Sequence, residues 1–190
     1  MILGIDLSTI TLGYTVLTLD SKIIEMDYYS FKSKDLLDRA IELEIQLNIL
    51  KEKFPEVTHY FIEERLKGFQ SGGTNADALF NTTSINFLSQ FLAKKLNWVV
   101  ETINVNNARS LVFPTFHKVA RALKGVKHKE TIFKFVLRVL GEDSFKKYLR
   151  TISKGKRKGV VEYIEQAKDV SDSYVIARAG LIKLSNKQIK

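Results

Sequence analysis

The sequence predicts a mixed α/β fold in which an antiparallel meander is followed by parallel strands on crossover helices. Three observations lead there. Apolar and β-branched segments alternate in the order βββαβαβ, after which the pattern turns helical. The first three segments are joined too tightly for crossovers, so they must run antiparallel. The G-x-G-x-x-G turn that would open a doubly wound dinucleotide fold is missing, as are a G-x-x-x-x-G-K-S/T phosphate loop and a G-x-S-x-G elbow. With 190 residues, 45% of them apolar and 27% charged, the chain suits one ordinary domain over 1–190 and is too apolar to be largely disordered.

The elements follow in order. Residues 2–7 form a buried strand, 12–19 a second and 22–30 a third, with Asp20-Ser21 as the turn between the last two. A helix over 34–53 carries Leu36, Leu37, Ala40, Leu43, Leu47 and Leu50 at helical spacing and stops at Pro55. Residues 57–64 make the fourth strand. Ser71-Gly72-Gly73-Thr74 is a loop. A helix over 76–96 presents Ala76, Leu79, Phe80, Ile85, Leu88, Phe91 and Leu92, and 97–104 is the fifth strand. The remainder reads as helices near 106–112, 127–140, 142–151 and 170–185. Between the last two, Ser153-Lys154-Gly155-Lys156-Arg157-Lys158-Gly159 is the strongest loop signal.

Composition narrows the chemistry. The chain has no cysteine, which excludes disulfides, thiolate zinc sites, iron–sulfur clusters and a cysteine nucleophile, and suits a reducing, cytoplasmic setting. No apolar run approaches the roughly 18 residues of a membrane span, and Met1–Asp6 has no basic leader. Net charge is +9, unevenly spread. The basic region 105–160 holds 15 Lys/Arg against 3 Asp/Glu, a net of +12; the other 134 residues hold 15 against 18, a net of −3. Lys118, Arg121, Lys124, Lys127, Lys154, Lys156, Arg157 and Lys158 form a cationic surface suited to a nucleic-acid backbone, although solvated lysines on a helix face give the same pattern.

Four carboxylates stand out. Asp6 interrupts an apolar strand expected to be central, where an unpaired carboxylate is costly; it either caps the turn into Ser8-Thr9 or ligates a metal. Glu63 and Glu64 end the fourth strand on opposite faces, so only one of them can join Asp6, while solvation of both, with Glu64 paired to Arg65, is the simpler reading. Asp169 and Asp172 are spaced i, i+3 on one helical face. That spacing also suits an N-cap at Asp169 with Asp172 near the helix dipole. If the four converge, hard oxygen donors favour Mg²⁺ or Mn²⁺, and two such ions about 3.5–4 Å apart support phosphodiester hydrolysis. His59, His117 and His128 have no ligand spacing. His59 reads as packed, and the other two lie among cations.

Taken together, the motifs resemble a known family. Ile2-Leu3-Gly4-Ile5-Asp6-Leu7-Ser8 with Gly13-Tyr14, then Ile62-Glu63-Glu64, Asn75-Ala76-Asp77-Ala78-Leu79, and Asp169-Val170-Ser171-Asp172-Ser173 with Ile176-Ala177 resemble, in order and spacing, the motifs of RuvC-type Holliday junction resolvases. The length suits a bacteriophage-like or viral-like member. The resemblance implies an RNase H-like fold, a homodimer and Mg²⁺-dependent nicking of four-way DNA junctions in bacterial or infected-cell cytoplasm. It puts Asp6, Glu63, Asp169 and Asp172 at a two-metal site and favours Glu63 over Glu64. Through Lys129, Ile132 and Val136 it makes Lys129 a catalytic cation that stabilises phosphate charge. The sequence departs from the family at the aromatic wedge, where Leu66 stands. Phe69 is the nearest aromatic, in a loop with Gly68, Gly72 and Gly73. A second family lysine has no match near Val112, with Lys118 the nearest substitute.

Other classes stay in view: a related nuclease acting on other branched DNA or on RNA, a non-catalytic nucleic-acid-binding module on the same fold, and an ATP-binding protein of the actin and sugar-kinase type. The last needs two domains and phosphate and adenosine motifs that this sequence lacks.

Overall fold

The structure, a computed structural model, describes residues 1–64, 76–115 and 128–188. Five strands form one sheet in the order β3-β2-β1-β4-β5: β1 (Ile2–Leu7), β2 (Thr11–Leu17), β3 (Ile23–Ser30), β4 (His59–Glu63) and β5 (Val99–Ile103). β1–β2 and β2–β3 pair antiparallel, while β1–β4 and β4–β5 pair parallel. This is the predicted mixed sheet, and it has the RNase H-like arrangement. β1 lies at its centre and is buried along its whole length, Asp6 included.

Two cores flank the sheet. On one face, Leu3, Ile5, Leu7, Tyr60 and Ile62 pack against α1 (Leu36–Lys53) and α2 (Ala76–Lys95). On the other, Ile2, Phe61 and Ile103 pack against α3 (Val105–Val112), α4 (His128–Leu140) and α5 (Gln166–Gln188). Alternation along β1 and β4 assigns each side chain to its core. The Asp35 carboxylate caps α1 by accepting from the Leu37 and Asp38 amides at 2.8 and 3.1 Å. Asn104 caps α3 in the same way.

Glycine lets α5 lie directly on the sheet. A Cβ on Gly4 would stand 2.5 Å from the Ala177 backbone nitrogen and 2.6 Å from the Ser173 carbonyl oxygen. One on Gly13 would stand 2.7 Å from the Asp169 carbonyl oxygen. The central strands therefore meet the helix backbone to backbone, and a buried hydrogen bond between Thr15 and Ser173 (2.8 Å) fixes the helix's position along them.

The structure corrects several sequence expectations. Phe80 and Phe91, assigned to the buried stripe of α2, are 66% and 57% exposed. The buried face of α2 instead includes Asn86 and Ser89, because β4 supplies polar partners: the Ser89 hydroxyl meets the Tyr60 hydroxyl, and Asn86 Nδ2 donates to the Glu63 carbonyl oxygen at 3.1 Å. On α1, Leu37 is exposed, not core. The helix expected over 142–151 is a 3-10 helix (Glu142–Tyr148) followed by strand β6 (Leu149–Thr151), which pairs antiparallel with β7 (Val161–Tyr163). Strands of three residues leave no alternation to read, so the hairpin was not predicted; the glycine- and lysine-rich loop is its tip. Finally, α5 starts at Gln166, so Asp169 lies inside the helix and is not its N-cap. Among the described residues, no helix is long and apolar enough to cross a membrane.

Candidate active site

The parallel register selects one glutamate. Ile5 pairs with Ile62, so Asp6 and Glu63 come next on adjacent strands and share the face that α5 covers. Glu64 falls on the opposite parity, and its amide donates to the Ile103 carbonyl oxygen at 2.9 Å. Both carboxylates thus stand at the C-terminal edge of the sheet centre, where α/β sheets commonly bind ligands.

α5 brings the other two acids. Asp169 lies in its first turn and Asp172 one turn on, over β1 and β2. Lys129, second residue of α4, reaches into the group. Its Nζ is 2.8 Å from Asp169 Oδ1, 3.1 Å from Asp6 Oδ2 and 3.7 Å from Asp172 Oδ2. One ammonium therefore ties together acids from positions 6, 169 and 172. Glu63 follows the Ile62 that pairs with Ile5, which sets it beside Asp6 on the neighbouring strand, and it interacts electrostatically with Asp6 and Asp172.

Burial opposes ionisation of Asp6, Glu63 and Asp172. Asp6 and Asp172 are only 7% and 3% exposed. Burial pushes the Asp6 carboxyl up to about 8; Lys129 pulls it back, and Asp172, Asp169 and Glu63 add to the rise. Burial raises Asp172 as well, against Arg109 and Lys129. It raises Glu63 too, with Asp172 adding and Arg109 and Lys129 opposing. For Lys129, burial acts to lower the value, but Asp6, Asp172 and Asp169 outweigh it and keep the ammonium charged.

Arg109 is the residue that sequence reasoning missed. Its buried guanidinium donates from Nη2 to Asp172 Oδ1 at 3.3 Å. A signal was available. Val105, Ala108, Arg109 and Val112 are spaced i, i+3, i+4, i+7, so the apolar face of a short amphipathic helix contains an arginine. An arginine buried on such a face requires an acid opposite it. Asn86 was missed for a different reason: its role is to hold the end of β4, through the Glu63 carbonyl.

The predicted nucleic-acid contacts divide. Lys154, Lys156, Arg157 and Lys158 are exposed at the tip between β6 and β7. Phe69, Lys118, Arg121, Lys124 and Lys127, with His117 and the Gly68, Gly72 and Gly73 loop, lie outside the described residues. His59 is half-buried and stacks on Phe61, as expected for a packed residue. His128 is exposed at the start of α4.

Chemically, the cluster is a hard, oxygen-only donor set with two nearly inaccessible carboxylates, which suits a small divalent cation. Among the described residues, no three His, Asp or Glu side chains form a ready-made metal cage. In this cluster the acids are gathered instead around the Lys129 ammonium.

No family model matches the sequence, and no curated protein sequence does. Solved structures do match. The chain superposes on Thermus thermophilus RuvC at TM-score 0.59 and 13% identity, covering 97% of this chain and 96% of that one. It matches T. thermophilus RuvC in complex with Holliday junction substrate at TM-score 0.60 and 12% identity, over the same shares. It also matches the yeast mitochondrial Holliday junction resolvase at TM-score 0.55 and 20% identity, covering 100% of this chain and 84% of that one. The fold is that of the RuvC-type resolvases, as the sequence motifs predicted.

Proposed function

We propose that residues 1–190 act as one nuclease domain, a divalent-metal-dependent endonuclease that resolves four-way DNA junctions and leaves 5′-phosphate and 3′-hydroxyl ends. The observation that carries this reading is the gathering of Asp6, Asp169 and Asp172 around one lysine, with Glu63 on the strand beside Asp6. The fold shared with RuvC, one structure of which holds a Holliday junction, supports the choice of substrate.

Asp6, Glu63, Asp169 and Asp172 are the groups that would hold Mg²⁺, or Mn²⁺ in its place. A pair of such ions supplies an activated water and a counter-charge for the leaving oxygen. The protein's own groups do the rest. Gly4 and Gly13 seat α5 so that its acids face Asp6. Arg109 orients Asp172. Lys129 keeps its proton and, with its side chain 44% exposed on a flexible stem, can turn to the phosphate as negative charge builds there. The basic region 105–160 supplies the backbone-binding charge.

A four-way junction has symmetry-related strands, which a two-fold homodimer would cut in pairs. The surface we assign to that contact is the apolar outer side of α1 and α2, where Ile41, Ile45, Phe80 and Phe91 are exposed. The chain would work in DNA-associated cytoplasm, bacterial or of an infected cell.

The test is incubation with a synthetic four-way junction and Mg²⁺, alongside flaps, forks, linear duplex, RNA–DNA hybrid and an Asp6→Asn variant. Symmetric nicks in the junction that vanish with chelator and in the variant support the proposal. Equal cutting by the variant, or metal-independent cutting, defeats it. Hybrid cleavage in preference to the junction would favour an RNA-directed nuclease. Binding without product in any metal would favour a non-catalytic module.

A further inference from the structure

The β6–β7 hairpin stands apart from the five-stranded sheet and carries Arg150, Lys154, Lys156, Arg157 and Lys158 against a single acid, Glu162. That acid is fully engaged. Its Oε1 accepts from Arg150 Nη2 at 2.8 Å and Nε at 3.3 Å, and its Oε2 accepts from Arg157 Nη2 at 2.6 Å. One carboxylate thus bridges two guanidiniums with one oxygen each. The two free oxygens of a phosphodiester present the same pair of acceptors, and arginine is the side chain best suited to them.

The tip is a built turn. Gly155 and Gly159 sit at φ +81° and +87°, in the left-handed region that favours glycine. The Gly159 amide donates to Ile152 O at 2.8 Å and the Lys158 amide to Gly155 O at 3.1 Å. A cavity of about 600 Å³ opens there, lined by Arg150, Ser153, Lys154, Lys156, Arg157 and Glu162. A second hollow, of about 360 Å³ and lined by Glu130, Arg150, Glu162, Glu165 and Lys168, continues to the chain neighbours of Lys129 and Asp169. The hairpin is anchored at that end, where the Tyr163 ring meets Phe133 edge-on at 5.0 Å.

We propose that this hairpin is a phosphodiester-binding fork for a duplex DNA arm, and that Glu162 holds it closed in the free protein by standing in for the phosphate. The inference rests on the nuclease reading and adds to it a second point of contact with DNA, away from the reacting phosphate. An incoming backbone phosphate displaces Glu162 and takes both guanidiniums, with the tip lysines flanking it. The grip is on backbone geometry, so it recognises a duplex arm whatever its sequence.

The test uses the full chain silenced by Asp6→Asn, with labelled four-way junction and linear duplex titrated across a range of KCl. Glu162→Gln is expected to tighten binding of both DNAs about threefold or more. Arg150→Gln with Arg157→Gln is expected to weaken both about tenfold and to flatten the log–log salt slope by about 1, the share of one phosphate. Arg150→Lys with Arg157→Lys should keep the slope while losing part of the affinity, since charge remains without the fork. Trypsin cleavage at the tip reports whether each variant keeps the hairpin; if Glu162→Gln loosens it, the two arginine pairs decide. Arginine variants that bind like the parent with an unchanged slope overturn the proposal, as does a loss confined to the junction. If the parent itself binds neither DNA, the nuclease reading fails as well. Binding by the parent that is indifferent to the hairpin defeats only this inference.

Discussion

Asp6 separates what the site needs from what the fold would prefer. Its carboxyl titrates near 3.8 without the protein environment and at about 8 in the folded chain. The native state therefore holds the proton more tightly, so this contribution to stability is complete below about pH 4 and drains away as pH rises to about 8. Asp6→Asn should raise metal-free stability at pH 8 by on the order of 1 kcal/mol, little at pH 4, and abolish cleavage; paired denaturant melts at the two pH values measure it. A variant no more stable at pH 8 than the parent would mean that Lys129 fully compensates Asp6. Arg109 gives the opposite case. Arg109→Met strands a buried acid and should cost about 3 kcal/mol at pH 8. Asp172→Asn added to it should restore much of that loss, and a double-mutant cycle on unfolding free energies reads the coupling.

Among the elements, α5 and β1 decide whether a site exists. Gly4→Ala forces a Cβ to within 2.5 Å of helix backbone, so either α5 lifts or the strand shifts. The expected loss exceeds about 3 kcal/mol, and any folded remainder should lose Mn²⁺ binding by calorimetry, because Asp169 and Asp172 move with α5. Unchanged Mn²⁺ affinity would show that the close seating is not needed. The same elements show why sequence reading succeeded in part. β1 and β4 were legible because an acid at the end of an apolar run is conspicuous; parity allowed only one of Glu63 and Glu64 to join Asp6, and the Ile5–Ile62 register picks Glu63. α2 misled because Asn86 and Ser89 look like solvent-facing residues until Tyr60 and the Glu63 carbonyl are known to lie opposite them. The β6–β7 hairpin escaped because its strands are too short to carry a period. Arg109 escaped because a lone basic residue in a basic region draws no notice.

At the scale of the whole molecule, the candidate acids and the exposed apolar side chains of α1 and α2 lie on opposite faces of the sheet. Asp6, Asp169 and Asp172 lie where α5 crosses the C-terminal edge of β1, while α1 and α2 expose Ile41, Ile45, Phe80 and Phe91 on the other side of the sheet. If that outer surface joins two copies, Phe91→Glu with Ile45→Glu should yield monomers by sedimentation at micromolar concentration, still folded, since both side chains are more than half exposed. Junction cutting should then pass from paired to single nicks. A parent chain that already sediments as a monomer would remove the pairing scheme. The seating of α5 on Gly4 and Gly13 also bears on timing. Half of the acids arrive on the last helix, more than 160 positions after Asp6. Under the proposed nuclease reading, a polypeptide translated only as far as β5 would lack Asp169 and Asp172, so the site could not assemble before α5 has been made.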